Sequence, residues 1–543
     1  MPHSPSRKPP MSNPTTPHHA DPASHHEVEV VETSASQRRW ILIATCLGLL
    51  AIMVSVSGLN VAQQALAADL GASQGQLLWI INGFTVALAA TLLPLGALGD
   101  RIGRRTVLVV GLVSFAAINL ASAFAGDPWV LVGLRVAMGV AAALVMPATL
   151  STITAAFPAD ERGRAIGIWT GVAGGGGVIG LLSSALVVDN VTWPWVFAAP
   201  IGIAIAALVI TLTQVPDTRE AQEGRFDLIG SFLSVLAIGG IVLGIHEGPE
   251  QGWVAPITVA GFMVGIAALV GFVAWERREA NPLLDVRVFS NRTLSAGAFS
   301  LTVMFAVIVG MFLVMIQLLQ AVLGFSAVRS AVALIPMIAT LMAAAPIAPN
   351  ISARFGYRRT MVASLLVVTG ALVWLAVLPA SPAYLDVLPG MLLLGLGLGV
   401  AMTPSTTAIT ESLPAHQQGV ASALNDTVRE VGGAIGVALI GSVLAAGYRS
   451  GVAATADTLD PELGHMVEEG IGGAYTAAAQ AGDAAPQIIT AAQQGFIDGW
   501  GTAMWIAAGL TAVTAVVAHR LIPATATNNV IATTDELLVP ART

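Results

Sequence analysis

Few ionisable side chains lie within or beside the apolar runs of this sequence. Arg135 lies inside the run 129–156, and Asp426 and Glu430 stand four residues apart just before the run 431–447. A carboxylate that moves between water and a low-dielectric site can bind and release a proton, because burial favours its neutral form. A guanidinium at that depth needs polar partners and changes the proton affinity of its neighbours. These three residues are therefore candidates for proton exchange inside a membrane.

Each of these residues also has a structural interpretation. Arg135 would then only bond helix carbonyls, and the two acids would occupy the first turn of a helix, where negative charge favours the helix dipole. Of the two acids, Glu430 is the stronger candidate for titration because it lies one turn deeper than Asp426.

Uncharged polar residues form a second candidate group. Three of them, spaced i, i+3 and i+7 on one helical face, are followed by single amides in later runs. Each alone is more often a helix–helix hydrogen bond than a ligand contact. As a set they suit a cavity for a mostly hydrophobic solute with few polar groups. The set comprises Ser57, Asn60, Gln64, Asn82, Gln317 and Gln320.

The elements that must position these residues are membrane helices. Of 543 residues, 55% are hydrophobic and only 10% are charged, whereas a soluble domain has about 25% charged residues. Fourteen apolar runs are long enough to cross a bilayer. They lie near 40–59, 77–98, 106–125, 129–156, 165–188, 193–213, 228–245, 253–275, 294–318, 331–351, 361–380, 387–409, 431–447 and 500–519.

Composition and motifs also exclude several functional classes. The net charge of −8 is spread over loops and tails, so no basic patch suits nucleic acid. No phosphate-binding loop of an ATP-driven pump is present. Within the runs there is no His/Cys/Asp cluster at metal spacing and no nucleophile–base pair. We therefore expect neither an enzyme, nor a metal site, nor a cofactor.

Arginines determine the predicted orientation. Alternate loops contain Arg101, Arg104, Arg105, Arg162, Arg164, Arg219, Arg225, Arg277, Arg278, Arg287, Arg292, Arg354, Arg358 and Arg359, whereas the opposite loops contain only Arg329 and Arg449. Short loops rich in arginine stay in the cytoplasm, so both termini are predicted to be cytoplasmic in a cell membrane. Tryptophans at the outer run ends, Trp129, Trp193, Trp195, Trp253 and Trp500, are expected at the lipid–water interface.

An internal repeat divides the chain into halves. The segment 98–106 aligns with 351–360 when Tyr357 is taken as an insertion, and Ala353 replaces Asp100. The copies join runs two and three and runs ten and eleven, so an extra helix pair separates two six-helix bundles. The predicted parts are a disordered cytoplasmic tail (1–39), an N-terminal bundle (40–215), a two-helix insertion (216–293), a C-terminal bundle (294–522) with an outer loop at 449–499, and a second cytoplasmic tail (523–543).

The first copy belongs to a short basic segment, Gly96-Ala97-Leu98-Gly99-Asp100-Arg101-Ile102-Gly103-Arg104-Arg105, which we name the arginine loop. Its glycines permit a tight turn and close helix approach. Asp100 can bridge to arginines or cap a neighbouring helix N-terminus. The spacing resembles the signature loop between the second and third helices of the major facilitator superfamily.

Further stretches resemble one branch of that superfamily, the fourteen-helix drug:proton antiporters. They are 131–139 around Arg135, the glycine-rich segment 171–180, 193–197 with Pro200, the group Gln317, Gln320, Leu323 and Gly324, and 425–441. The segment 171–180 occupies the place of the antiporter glycine motif, here Gly171, Gly175, Gly176 and Gly180. Gly176 stands where that motif usually has a proline. Ser55 stands where the first helix of the family commonly has an aspartate.

The resemblance implies an all-α transporter that exports hydrophobic or cationic small molecules by proton antiport with alternating access. It implies a conformational latch formed by Gly96, Asp100, Arg101, Gly103, Arg104 and Arg105. The expected partners are a small-molecule substrate, protons and the bilayer, and the expected state is a monomer. Because Ser55 replaces an acid, export of a specific metabolite or a different coupling stays an alternative. A non-transporting membrane sensor is the remaining alternative.

Overall fold

The structure, a computed structural model, describes residues 34–216 and 225–523, with the side chains of Asn60, Val61, Gln64, Gln74 and Asp189 outside that description. Across these ranges the regular elements are helices, and no strand occurs among them. Fourteen of the described helical segments are long and apolar enough to span a membrane. The predicted all-α class and number of spans are therefore confirmed.

The first six spans form the N-terminal half, and their helices are α1 (Ala35–Leu70), α2 (Gln74–Ile102), α3 (Arg104–Ser122), α4 (Pro128–Ala156), α5 (Ala159–Asn190) and α6 (Ala198–Gln214). Local sequence sets several of their ends. Ser73 and Gln76 form a reciprocal cap on α2, and Asp127 accepts hydrogen bonds from the first turn of α4. Since α1 begins at Ala35, residues 35–39 are helical rather than part of a disordered tail.

Two helices, α7 (Leu228–Gln251) and α8 (Pro256–Glu276), form the predicted extra pair. They pack on each other, and α7 also contacts α2. Small residues permit this close approach: a Cβ on Gly240 would stand 2.8 Å from the backbone of Gly265. The insertion is therefore attached to the rest of the bundle mainly through α7.

The remaining spans form the C-terminal half. Its helices are α9 (Arg292–Gln317), which continues as a π-helical turn to Val322, then α10 (Ala327–Ala344), α11 (Ala348–Phe355), α12 (Tyr357–Ala376), α13 (Tyr384–Thr410), α14 (Gln418–Ala456), α15 (Pro461–Glu469), α16 (Ile471–Gln480) and α17 (Ala485–Leu521). The predicted outer loop at 449–499 is therefore largely helical: α14 and α17 extend into it, and α15 and α16 fill the space between them.

The internal repeat has a matching backbone. Gly103 has φ 103° and ψ 133°, and Gly356 has φ 88° and ψ 146°, and each alone separates two helices. Residues that carry a side chain rarely adopt this backbone conformation, so glycine is strongly favoured at both turns. The match supports the alignment of Gly103 with Gly356.

The tryptophans at the outer run ends do not share one environment. Trp129, Trp195 and Trp253 are exposed, as an interfacial position requires. The same expectation for Trp193 and Trp500 is wrong, because both are buried. Trp193 donates to the Asp69 carboxylate (2.7 Å) and Trp500 to the Leu375 carbonyl (2.7 Å), so each fastens two elements.

The two halves meet along two seams, one between α2 and α14 and one between α5 and the α10–α11 segment. At both seams glycines replace side chains. A Cβ on Gly96 would stand 2.5 Å from the Ala423 Cβ, and one on Gly167 would stand 2.5 Å from the Ala345 carbonyl oxygen. Both contacts lie in the parts of these helices nearer the arginine loop, so that end of the bundle is closed.

Candidate functional site

The arginine loop fastens one half of the molecule to the other through Asp100. Its carboxylate, only 3% exposed, accepts hydrogen bonds from the Gly419 N–H (2.8 Å) and the Val420 N–H (3.1 Å). These groups belong to the first turn of α14, whose N–H groups have no partner within the helix. Asp100 thus caps a helix of the opposite half, and the helix dipole strengthens that bond.

The three arginines of the loop donate to backbone carbonyls in three different parts of the chain. Arg101 reaches Arg225, Arg104 reaches Ala415 and Arg105 reaches Leu212, at 2.8, 3.1 and 2.6 Å. Arg104 also lies 3.8 Å from the Asp100 carboxylate. The loop therefore joins the N-terminal half, the central insertion and the C-terminal half at one end of the bundle.

The second seam lacks an equivalent charged cap. By the repeat, Ala353 takes the place of Asp100, and α5 takes the place of α14. No side chain caps the N-terminus of α5, which begins after Pro158. The two seams are therefore unequal, and only the seam between α2 and α14 carries the carboxylate.

The glycines of α5 contact helices from both halves. Gly171 and Gly175 face α10, where a Cβ would meet Met342 at 3.3 and 2.9 Å. Gly176 and Gly180 face α1, where a Cβ would meet Met53 or Val54 at 2.8 and 2.9 Å. The helix runs from Ala159 to Asn190 without a break. The glycine motif thus lies where α5 passes between its own half and the opposite one.

The acids of α14 do not occupy a first turn, so the structural interpretation of this pair does not hold. The helix begins at Gln418, so Asp426 and Glu430 lie about two and three turns inside it. Arg135 is accordingly not the only charge inside a span, because Asp426 and Arg429 are buried as well. The segment from Gln418 to Glu430 mixes polar and apolar residues, and most of its side chains are buried among other helices.

These residues form what we name the α14 ionic cluster: Asp426, Arg429 and Glu430. The Arg429 Nη1 lies 3.1 Å from the Asp426 Oδ1, which also accepts from the Asn425 amide (3.2 Å). The other Asp426 oxygen is buried and has no hydrogen-bond partner. Glu430 is half-buried one turn further along. The ion pair occupies Asp426, which leaves Glu430 outside it.

Sequence analysis missed the role of Arg429, whose guanidinium touches both halves. Its Cζ lies 5.0 Å from the ring centre of Trp169 on α5 and 4.5 Å from that of Phe305 on α9. Cation–π contacts strengthen when water is excluded. The position i+3 from Asp426 was the available sequence signal. A change of charge in the cluster would therefore act directly on a contact between the halves.

Arg135 is 1% exposed and connects α4 to α2. Its Nε donates to the Ile80 carbonyl (2.9 Å), its Nη1 lies 3.3 Å from the Met138 sulfur, and its Cζ lies 4.6 Å from the Phe84 ring centre. Ser55, where the family often has an aspartate, is buried and bonds the Asn119 side chain (3.3 Å). No acid takes part in these contacts of Arg135, which supports a positioning role.

We expect Arg135→Lys to reduce transport by about tenfold. Lysine has no planar fork, so it cannot keep the carbonyl, the sulfur and the aromatic ring together, and losing a hydrogen bond to a buried charged group costs about 1.5–3 kcal/mol. Initial efflux rates at matched membrane expression measure this effect. Arg329→Lys serves as the control, because Arg329 is exposed in the first turn of α10. Equal rates for Arg135→Lys and wild type would contradict the assignment.

The structure places the predicted cavity residues in different surroundings. Ser57 is half-buried against α5, where a Cβ on Gly177 would stand 3.1 Å from its oxygen. Asn82 and Gln317 are half-buried as well. Gln320 is exposed beside a cavity of about 320 Å³ that Tyr475 and Gln493 also line. The side chains of Asn60 and Gln64 lie outside the described residues.

A further charge interaction between the halves lies just beyond α13. Burial raises the pKa of Glu411, while the positive charge of Arg162, on α5, lowers it. From the sequence, Arg162 was used only to predict the orientation, and Glu411 was not singled out. Among the described residues there is no group of three or more His, Cys, Asp or Glu side chains that could hold a metal ion.

The amino-acid sequence is similar to those of known membrane proteins. The sequence pattern of the Major Facilitator Superfamily matches residues 45–437. The chain is 32% identical to the tetracenomycin C resistance and export protein of Streptomyces glaucescens, over 90% of this chain and 93% of that one. It is 31% identical to the multidrug efflux pump LfrA of Mycolicibacterium smegmatis, over 89% and 96% of the two chains.

Among solved structures, the proton:xylose symporter XylE bound to 6-bromo-6-deoxy-D-glucose is similar in fold. It matches with a TM-score of 0.58 at 13% identity, over 90% of this chain and 97% of that one. At that identity the likeness concerns the fold alone.

Proposed function

This chain belongs to the major facilitator superfamily of membrane transporters, and from that premise we propose that it exports hydrophobic or cationic small molecules by proton antiport. The observation that carries the proposal is the α14 ionic cluster, in which Arg429 contacts both halves of the molecule and two acids lie beside it. A proton bound there changes a contact that must break when the halves rock. That is the requirement for coupling proton entry to substrate exit.

The substrate class follows from the relatives and from the spans. Relatives of about 30% identity over most of the chain are named for export of tetracenomycin C and for multidrug efflux. In this chain the polar residues within the spans are mostly amides and hydroxyls among apolar neighbours. A solute that is largely hydrophobic, with few polar groups, fits such surroundings.

We propose that the arginine loop is the latch of the alternating-access cycle. Asp100 and the glycine seams close the arginine-loop end of the bundle, so this conformation is the one that faces the opposite side. Breaking the bonds from Gly419 and Val420 to Asp100 would open this end. The proposed state is a monomer, because both seams are formed within one chain.

The proposed orientation places the arginine loop and both termini in the cytoplasm of a cell membrane. Labelling with an impermeant thiol reagent in a Cys46→Ser background tests it. We expect Glu468→Cys, exposed on α15, to react from outside, and Asp160→Cys, exposed at the start of α5, to react only after lysis. Labelling of Asp160→Cys in intact cells would reverse the orientation.

Transport itself is tested with a lipophilic cationic dye. Cells that express the protein should expel preloaded ethidium faster than cells with an empty vector. Nigericin, which dissipates the pH gradient, and a protonophore should each abolish the difference. Equal dye retention in both cell lines would contradict export of this substrate class, and dye export that survives the protonophore would contradict proton coupling.

One observation favours a second candidate, an exporter of a specific metabolite or one with other coupling. Ser55 stands where an aspartate is common in the family, and it is held by Asn119 rather than facing a cation. Export of an uncharged compound with no dependence on the proton gradient would identify this alternative.

A further inference from the structure

Two carboxyl groups meet at the base of the central helix pair, away from the α14 ionic cluster. Asp227 precedes α7 and Glu276 ends α8, and they are 9% and 2% exposed. The Asp227 Oδ2 and the Glu276 Oε1 lie against the same point beside Gly230, so the two carboxyl groups face each other. We name these two residues the carboxyl pair. Two ionised carboxylates this close repel each other, whereas one bound proton lets them share a hydrogen bond.

The space between the helices is shaped for this pair. A Cβ on Gly230 would collide with both the Asp227 Oδ2 and the Glu276 Oε1. The two oxygens therefore occupy the volume that a side chain at position 230 would fill. Glycine on the first turn of α7 is what lets the two carboxyl groups approach.

The surrounding donors distinguish the two members of the pair. Asp227 accepts from the Gly230 N–H (2.7 Å) and from the Trp275 indole N–H (3.0 and 3.1 Å). Glu276 accepts from the Leu284 N–H through its Oε2 (3.4 Å), while its Oε1 is buried and faces Asp227 without a donor of its own. Donors stabilise a charged carboxylate, and the shorter ones point at Asp227 rather than at Glu276.

We propose that the carboxyl pair is a proton-binding site, in which neutral Glu276 donates its proton to ionised Asp227. The bound proton joins the start of α7 to the end of α8. A metal ion does not fit, because the N–H groups of Gly230 and Trp275 point at the same oxygens and would repel it. The site is distinct from the proposed coupling cluster and does not depend on the proposed substrate.

The charged neighbours of the pair come from the arginine loop and from the segment after α8. Arg101 of the arginine loop donates to the Arg225 carbonyl and stacks on Phe226, 5.4 Å from its ring centre. After α8, the Arg287 guanidinium bonds the Arg277 carbonyl (3.4 Å). The helix α14, which carries Asp426, Arg429 and Glu430, meets α7 through apolar residues such as Val242 and Ala434, about four turns from Asp227. The segment 225–227 thus connects the carboxyl pair to the arginine loop.

Infrared spectroscopy of the purified full-length protein tests the site. At neutral pH the wild-type protein should show the C=O band of a hydrogen-bonded carboxylic acid, which disappears reversibly in alkali. We expect Glu276→Gln to remove that band, because no acid remains there. Asp227→Asn should also remove it, because an amide can donate to Glu276, which then ionises. Glu279→Gln, outside the pair, and Glu430→Gln, in the coupling cluster, should retain it.

Thermal unfolding gives an independent measurement. The folded protein would hold a proton that the unfolded chain releases, so the melting temperature of wild type should fall as the pH rises. Glu276→Gln mimics the protonated side chain and should lose that part of the pH dependence while folding normally. An infrared band and a pH dependence that are both unchanged in Glu276→Gln would overturn the proposal. Failure of dye export would not, since neither readout requires transport.

Discussion

Glu430→Gln should reduce proton-driven efflux to the level of cells without the transporter. The amide keeps the size and polarity of the side chain but cannot bind and release a proton near neutral pH. If Glu430 is the coupling group, proton binding can no longer shift the equilibrium between the two conformations of the transporter. Substrate binding should persist, because the substitution adds no charge and removes no bulk.

The structure distinguishes the expected roles of Glu430 and Asp426 more clearly than their positions in the sequence do. Arg429 is paired with Asp426, which favours the ionised form of that acid, whereas Glu430 lies outside the ion pair. Asp426→Asn would leave a buried guanidinium without its counter-ion, which costs about 3–5 kcal/mol. We therefore expect Asp426→Asn to lower stability and expression, and Glu430→Gln to lower coupling at normal expression.

The measurement compares dye efflux, dye binding and membrane abundance for the two variants and wild type. Asp498→Asn, an exposed acid on α17, is the matched control and should transport normally. Full efflux by Glu430→Gln that still collapses with the proton gradient would place the coupling site elsewhere.

Asp100→Asn should also impair efflux strongly, by about ten- to a hundredfold. The substitution replaces a carboxylate that accepts two N–H bonds by an amide with one acceptor oxygen. Hydrogen bonds to a charged group contribute about 1.5–3 kcal/mol, and each 1.4 kcal/mol shifts an equilibrium tenfold. The population closed at the arginine-loop end should fall accordingly, because the second seam has no such cap.

Two glycine substitutions separate the latch from a general loss of packing. In Gly96→Ala the new Cβ meets Ala423 and the Gly419 backbone at 2.5 and 2.6 Å, so the seam cannot close while Asp100 stays intact. In Gly99→Ala its nearest neighbour is Val107 at 3.9 Å, which is ordinary contact. We expect the first to resemble Asp100→Asn and the second to resemble wild type.

Accessibility of single cysteines to a thiol reagent at the arginine-loop end, together with efflux rates, measures this shift. Arg354→Ala, in the copy that lacks the acid, should be milder. If both Asp100→Asn and Gly96→Ala showed wild-type efflux and accessibility, the loop would act only as an orientation signal and not as a latch.

The sequence alone determined the class of the protein, its fourteen spans, the repeat and the special place of Asp100. These properties rest on short-range chemistry. An apolar run of about 20 residues is long enough to span the bilayer, and glycine is the residue that most readily takes the positive φ of a one-residue turn between two helices. The match between Gly103 and Gly356 could therefore be predicted from residue types and spacing.

Tertiary structure alone decided where polar side chains find their partners. The sequence allows Asp426 and Glu430 to lie at a helix start, yet the helix begins at Gln418 and buries Asp426 and Arg429 against neighbouring helices. Trp169 and Phe305 are far apart in sequence and enclose one guanidinium only after the halves pack. Asp227 and Glu276 are separated by two helices, and they meet because Gly230 leaves room for their oxygens. Such contacts depend on helix packing, and no local pattern encodes them.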